Sequence, residues 1–269
     1  MFTIENEYDI DAVFQHAKDQ GHEFGALPRA SEPGSLELEP GVYAATVEEK
    51  MPLIPEVEWK ERIAEMTAKK EWAADRWAAA GGPTINQNGY SWCWAASGGQ
   101  MLMGLRVLNG MPFQNLGWEY AASMVGFRNQ GYYLDKWLAW VAKNGLPERS
   151  YVPDLCSSAT KIKSGASQNA QNYRFDAIEV WDSASDFATR RAQVVTALLS
   201  KVFWPYVAYN RLAHAMTLSK LYYDAKGRLC GYSPNTWGNG GEMNFVGDMF
   251  VPDEFYIVRV PRYYVPTQS

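Results

Sequence analysis

The chain has 269 residues, 47% of them hydrophobic, and a formal net charge of −5. That length supports a substantial core in one large domain or two lobes, and the mildly acidic balance without a long basic block argues against a nucleic-acid partner. No apolar run approaches the ~20 residues of a membrane-spanning helix, and the N-terminus lacks the basic-then-apolar pattern of a secretory signal.

In chain order, Met1 to about Lys18 reads as a short amphipathic helix. "GALPRASEPGSLELEPG" follows as a Pro/Gly/Ser-rich link with little periodicity. From Glu56 to Ala80, Trp59, Ile63, Met66 and Trp72 fall near helical spacing, and "GGP" stops the helix. This Trp-rich helix is expected to serve as core or interface. Met1–Gly81 is read as an N-terminal extension or arm, and residues 82–269 as the main domain.

The main domain opens on "INQNGYSWCWAASGGQ", a turn-rich run followed by a helical one. Trp94, Met101, Leu105 and Leu108 mark one helical face, with Asn109-Gly110 as the stop, so Cys93 falls near the first turn of a long helix. Gly98-Gly99 within it costs about 1 kcal/mol per residue in propensity, which close packing against another element would justify. "YLDKWLAWVAKNG" is a second helix, residues 151–180 look irregular, and a third helix runs from about Ser185 to Val202. Thereafter "WPYVAYN", "HAMTLSKLYY", "RLCGYS", "GEMNFVGDMFV" and "FYIVRVPRYYV" read as strands, with "AKGR" as a hairpin loop. "YYVPTQS" ends the chain as a loose tail. Helices first and strands after predict an α+β fold of two lobes, helical over about 90–150 and β-rich over about 180–265.

Cysteine usage is sparse: Cys93, Cys156 and Cys230 allow at most one pair, which is no disulfide framework. A cytoplasmic or other reducing compartment is expected. Neither CxxC nor HExxH spacing occurs, so no metal and no cofactor are expected. Cys156 and Cys230 are read as structural, and His16 and His22 as surface residues.

Cys93 is the chemically interesting thiol. A helix N-terminus and a neighbouring imidazolium both favour the nucleophilic thiolate. Of the three histidines only His214, in "RLAHAMTL", lies in the main domain. A side-chain amide is needed to orient that imidazole, and Asn235 in "SPNTWGNGG" would return beside it through the hairpin, with Trp237 covering the contact. Backbone N–H of Cys93 and the amide of Gln87, six residues upstream, would form the oxyanion site.

These segments resemble the papain-like cysteine proteases. "NQNGYSWCWAAS" is similar to the family's nucleophile segment, "AHAMTL" to its histidine strand, and "PNTWGNGGEMNF" to its Asn-Ser-Trp-Gly segment. "RNQGYYLDKWLAWVAKNGL" resembles the glycine-bearing turn beside the cleft and the helix after it, and "LLSKVFWPYVAYN" resembles the helix, proline and strand before the histidine. The resemblance covers about Pro83 to Val260. It implies a papain-like two-lobed fold, with a helical lobe followed by an antiparallel β-barrel-like lobe. It implies Cys93 as nucleophile, His214 as general base and then acid, Asn235 as orienter and Gln87 as oxyanion donor. It further implies Trp237 as shield, Gly131 as a backbone partner for an extended peptide, and Ala215 near the cleft wall. Tyr90 stands where secreted relatives carry a disulfide cysteine, and "RNQG" lacks its partner. Trp92 replaces a small residue and is expected to narrow the primed side of the cleft. Ala213 replaces a commonly polar residue. The extension lacks the long spaced helical motif of the usual inhibitory propeptide.

The leading expectation is a cofactor-free cysteine peptidase acting on a peptide or protein substrate through a thioester on Cys93. The alternative is a non-catalytic papain-fold component of a larger assembly, such as a virus particle, in which residues 1–81 dock a protein partner. Acyl transfer to an amine is a third outcome of the same residues. The extension is either a removable cap over the cleft or a permanent docking segment.

Overall fold

The computed structural model describes residues 1–27, 52–124, 130–153, 161–174, 177–179, 186–234, 236–238 and 241–259. Cys156, Asn235, most of the Pro/Gly/Ser-rich link and the tail lie outside the described residues.

The elements run β1 (Phe2–Ile4), α1 (Glu7–Asp19), β2 (Ala26–Leu27), α2 (Glu56–Lys69), α3 (Ala73–Ala79), α4 (Cys93–Leu108), α5 (Glu119–Met124), β3 (Tyr132–Tyr133) and α6 (Leu134–Asn144). They continue with α7 (Ala166–Ala170), β4 (Ala177–Glu179), α8 (Phe187–Leu199), β5 (Tyr206–Tyr209), β6 (His214–Thr217), β7 (Lys220–Tyr223), β8 (Leu229–Ser233), β9 (Met243–Val246) and β10 (Glu254–Arg259).

Helices dominate the first half and strands the second, as expected for an α+β fold. In place of a barrel-like lobe there are two open four-stranded sheets, ordered β1-β9-β8-β7 and β4-β10-β5-β6. The second sheet separates two cores. Tyr206, Ala208, Ala215, Tyr256 and Val258 belong to the cluster around α4. Their strand neighbours Val207, Tyr209, Met216, Phe255 and Ile257 belong to the other cluster, as the two-residue side-chain period of a strand requires. Helix α4 is buried on every side from Cys93 to Arg106, which marks it as the central helix of its core.

Its glycines fit that position. A Cβ on Gly98 would sit 2.2 Å from the Trp137 ring of α6, and one on Gly104 would sit 2.0 Å from the Trp204 ring. The predicted close approach is therefore what the glycines serve.

Several boundaries differ from expectation. The long helix expected over residues 56–80 is two helices. Lys70 takes a left-handed φ of 53° and caps α2, and the Trp72 indole folds back onto Thr67 at 3.0 Å. "HAMTLSKLYY" is not one strand: it divides at Leu218-Ser219 into β6 and β7, which lie in different sheets. The expected N-terminal helix is preceded by β1, which pairs parallel with β9 (Thr3 opposite Asn244). Asn6 caps α1 in a reciprocal box with Asp9.

The described parts of the extension are packed into the fold. Ile4, Ile10, Val13, Trp59, Ile63, Met66 and Trp72 all lie in the second core. Burying an aliphatic side chain of this kind contributes about 1.5–3 kcal/mol each, so β1 and α1 together are held by several such terms.

Candidate active site

Cys93 is the first residue of α4 and is fully buried. His214 is the first residue of β6, equally buried. Helix α4 lies along β6: the Ser97 hydroxyl donates to the Ala215 carbonyl at 2.7 Å, and the Thr217 hydroxyl donates to the Gln100 side chain at 3.1 Å. This contact brings the thiol to the start of β6, where the Ala215 N–H reaches the Cys93 sulfur at 3.4 Å.

Trp237 stacks on the His214 ring, with centroids 4.7 Å apart and planes at 28°. It is 3% exposed, so the imidazole carries an aromatic cover on that side. Gln87 is held beside it. Its backbone N–H donates to the Thr236 carbonyl at 2.7 Å, and its side-chain carbonyl accepts from the Thr236 hydroxyl. An isolated bridge joins Asn86 to Trp237. The Gln87 segment and the segment carrying Thr236 and Trp237 thus form one corner. Asn235, expected to orient His214, lies outside the described residues.

Trp92 is also fully buried, stacked on Tyr90 at 4.4 Å and edge-on to Trp118 at 6.2 Å. Its bulk lies in the helical core rather than on an open wall. Cys230 is buried in β8, in a different sheet from the β6 strand that carries His214.

Sequence reasoning missed the segment His22–Leu27, which crosses the site. Gly25 and Ala26 both donate to the Ala213 carbonyl, at 3.0 and 2.8 Å. Ala213 itself holds a left-handed φ of 46°, and it is the residue just before His214. On the other side, the Tyr132 N–H donates to the Gly25 carbonyl at 2.8 Å, and β2 pairs parallel with β3. The Gln87 amide donates to the Glu23 carbonyl at 2.9 Å. Phe24 stands edge-on to both Trp237 and His214, at 5.2 and 5.7 Å. His22, expected at the surface, stacks on Trp237 at 4.9 Å with planes 3° apart.

Two glycines make this passage possible. A Cβ on Gly25 would meet the Ser91 carbonyl oxygen at 2.0 Å, and one on Gly131 would meet the Gly25 carbonyl oxygen at 2.6 Å. Gly131 therefore lies directly against the Gly25 backbone. The sequence signal was Gly25 in "GHEFGAL", indistinguishable there from an ordinary linker glycine.

Burial pushes the Cys93 thiol up to about 11 from an ordinary value of 9.0, against the opposing pull of N–H groups from Ala215, Gly25, Trp94 and Ala26. At neutral pH only about one thiol in 10⁴ would then be thiolate. Burial therefore favours the neutral thiol over the thiolate.

Among the described residues, no group of His, Cys, Asp and Glu side chains is arranged to hold a metal ion. No described helix is long and apolar enough to cross a membrane.

No protein-family model matches the sequence, and comparison with curated proteins finds no match. Solved structures do match. Procathepsin B S9 of Trypanosoma congolense aligns over 95% of this chain and 99% of its own, with 12% identity and a TM-score of 0.56. The recombinant stem bromelain precursor aligns over 96% and 94%, with 12% identity and a TM-score of 0.53. Digestive procathepsin L 3 of the Tenebrio molitor larval midgut aligns over 66% of each chain, with 13% identity and a TM-score of 0.52. This chain has the fold of the papain-like cysteine proteases.

Proposed function

We propose that the protein is a cysteine peptidase held in a covered state. Cys93 is the nucleophile and His214 the general base that takes its proton and later returns it to the leaving amine. Gln87 supplies an oxyanion donor, Asn235 orients His214, and Trp237 keeps water from that pair. Gly131, Tyr132 and Ala213 hold the backbone of an extended peptide substrate, with Ala215 against the sulfur and Trp92 bracing the turn before it.

The observation that carries this reading is the meeting of the α4 N-terminus with the start of β6. That meeting sets Cys93, the only thiol at a long helix N-terminus among the described residues, beside the strand that begins with His214. The choice of a peptide as substrate rests on a second fact: the groove beside Cys93 already takes an extended backbone, through Gly25 and Ala26. Water completes the cycle by attacking the thioester, so no cofactor is required. Two of the solved structures that align over nearly the whole chain are a procathepsin and a bromelain precursor, which agrees with an enzyme whose cleft is covered.

Digestion of denatured, fluorescently labelled casein tests the reading. Hydrolysis that disappears in both Cys93→Ala and His214→Gln supports it. Hydrolysis that survives either substitution refutes the assigned roles. A non-catalytic role in a larger assembly is favoured by one feature, the complete burial of Cys93. That role predicts no hydrolysis even when the cleft is opened.

A further inference from the structure

We infer that His22–Leu27 is a resident strap, displaced from the cleft while the segment before it stays docked, rather than a piece that is cut off and lost. The inference rests on the active-site reading above, and its test does not.

The two ends of the described arm are built differently. The part before the strap is integral to the fold. Strand β1 is an edge strand of the sheet with β9, β8 and β7, and Phe2 donates to the Glu242 carbonyl at 2.8 Å. Ile4 and Ala17 are fully buried in the second core, and Ile10 and Val13 nearly so. Glu5 pairs with Arg228 at 3.3 Å and Glu7 with Arg211 at 2.6 Å. Loss of β1 would strip a paired strand from β9.

The strap is held in another way. Its anchors are main-chain hydrogen bonds to Ala213 and Tyr132, the Gln87 amide on the Glu23 carbonyl, and ring contacts of His22 and Phe24. Its neighbours are cleft residues, which an extended peptide would use in the same way. Gly21, with a φ of 73° and open space around it, forms the joint between α1 and the strap. The strap fills the groove with main-chain pairs: the Gly25 and Ala26 N–H groups donate to the Ala213 carbonyl and the Gly25 carbonyl accepts from Tyr132. It therefore behaves as a competitor for the groove, and its displacement breaks only non-covalent contacts.

Gly25 is the latch. With a Cβ that would meet the Ser91 carbonyl oxygen at 2.0 Å, no other residue fits between Ser91 and Gly131. Gly25→Val should expel the strap without touching any residue of the body.

The test compares full-length wild type with Gly25→Val. Iodoacetamide labelling at neutral pH, read by mass at Cys93, reports access. Hydrogen exchange of the Phe2–Ile4 amides reports docking of β1. The inference expects labelling to rise on the order of a hundredfold with β1 protection unchanged. Unchanged labelling overturns it, and so does loss of β1 protection in step with opening.

A second full-length variant guards against misfolding: a site-specific protease sequence is placed after Gly34 and cut in the folded protein. The inference expects the N-terminal fragment to co-elute with the body and Cys93 to stay unlabelled. Dissociation of the fragment with exposure of Cys93 overturns it. Labelling requires no turnover, so a chain that opens yet hydrolyses nothing refutes the peptidase reading and leaves the strap standing.

Discussion

Replacing Gly98 by alanine tests the packing that fixes Cys93 in place. The new methyl would lie 2.2 Å from the Trp137 ring, which is fully buried and itself packs against Tyr206 at 5.5 Å. Two effects oppose each other. Alanine in place of a mid-helix glycine gains about 1 kcal/mol in propensity. Overpacking costs about 1–3 kcal/mol, and a rigid indole with buried neighbours belongs at the upper end. The net expectation is a loss of about 2 kcal/mol, or about 4–8 °C in Tm for a chain of this size. Urea melts of wild type and Gly98→Ala, with equal slopes, measure it. Trp137→Phe in the same background should recover part of the loss, because the pair is in contact and their effects couple. A Gly98→Ala chain as stable as wild type would refute the reasoning, since propensity alone would then decide.

The other predictions concern titration, charge and strain. The Cys93 thiol, pushed up to about 11, should be alkylated in the wild type about tenfold faster per pH unit through the neutral and mildly alkaline range; a plateau near neutrality would contradict its burial. The same shift ties stability to pH. The unfolded thiol ionises from about 9 while the folded one stays protonated, so stability is full below about 9 and falls by about 1.4 kcal/mol per unit until about 11. A flat urea midpoint across that window in wild type, matching Cys93→Ala, would contradict it. Glu119, 2% exposed, takes a forked pair of hydrogen bonds from Arg149, so Glu119→Ala should cost about 2–4 kcal/mol; a change within error would mean that the pair contributes nothing. Ala213→Gly should stabilise by about 0.5–1 kcal/mol, because the left-handed φ of 46° strains alanine and suits glycine; a loss of stability would refute that.

The parts legible in the sequence were those set by local pattern. The periodicity after Trp94 placed α4 and put Cys93 at its start, the AKGR turn placed β7 against β8, and the apolar spacing of Leu134, Trp137, Leu138 and Val141 placed α6. The meeting of Cys93 with the strand of His214 was legible through the resemblance rather than through spacing.

What was not legible depends on distant partners. Phe2, Thr3 and Ile4 are all strand-favouring residue types, but three residues are too short a run to read as a strand without the β9 partner that pairs with them. The strap has no periodicity at all, and Gly25 is required by the Ser91 carbonyl, far away in sequence. His22 reads as a surface residue until Trp237 is placed beneath it. The division of "HAMTLSKLYY" into two sheets follows from Ser219 bonding to Tyr232, a contact the apolar alternation does not encode.

The central claim is that Cys93 and His214 act as one chemical unit. The most direct measurement is the rate at which an epoxide-type cysteine-protease inhibitor forms a single adduct, read by intact mass, on wild type and Gly25→Val, each with and without His214→Gln. The account predicts one adduct, on Cys93, in the opened chain, slowed at least a hundredfold by His214→Gln. An adduct that forms equally fast without the imidazole, or none in an opened chain whose Cys93 is accessible to iodoacetamide, would contradict it.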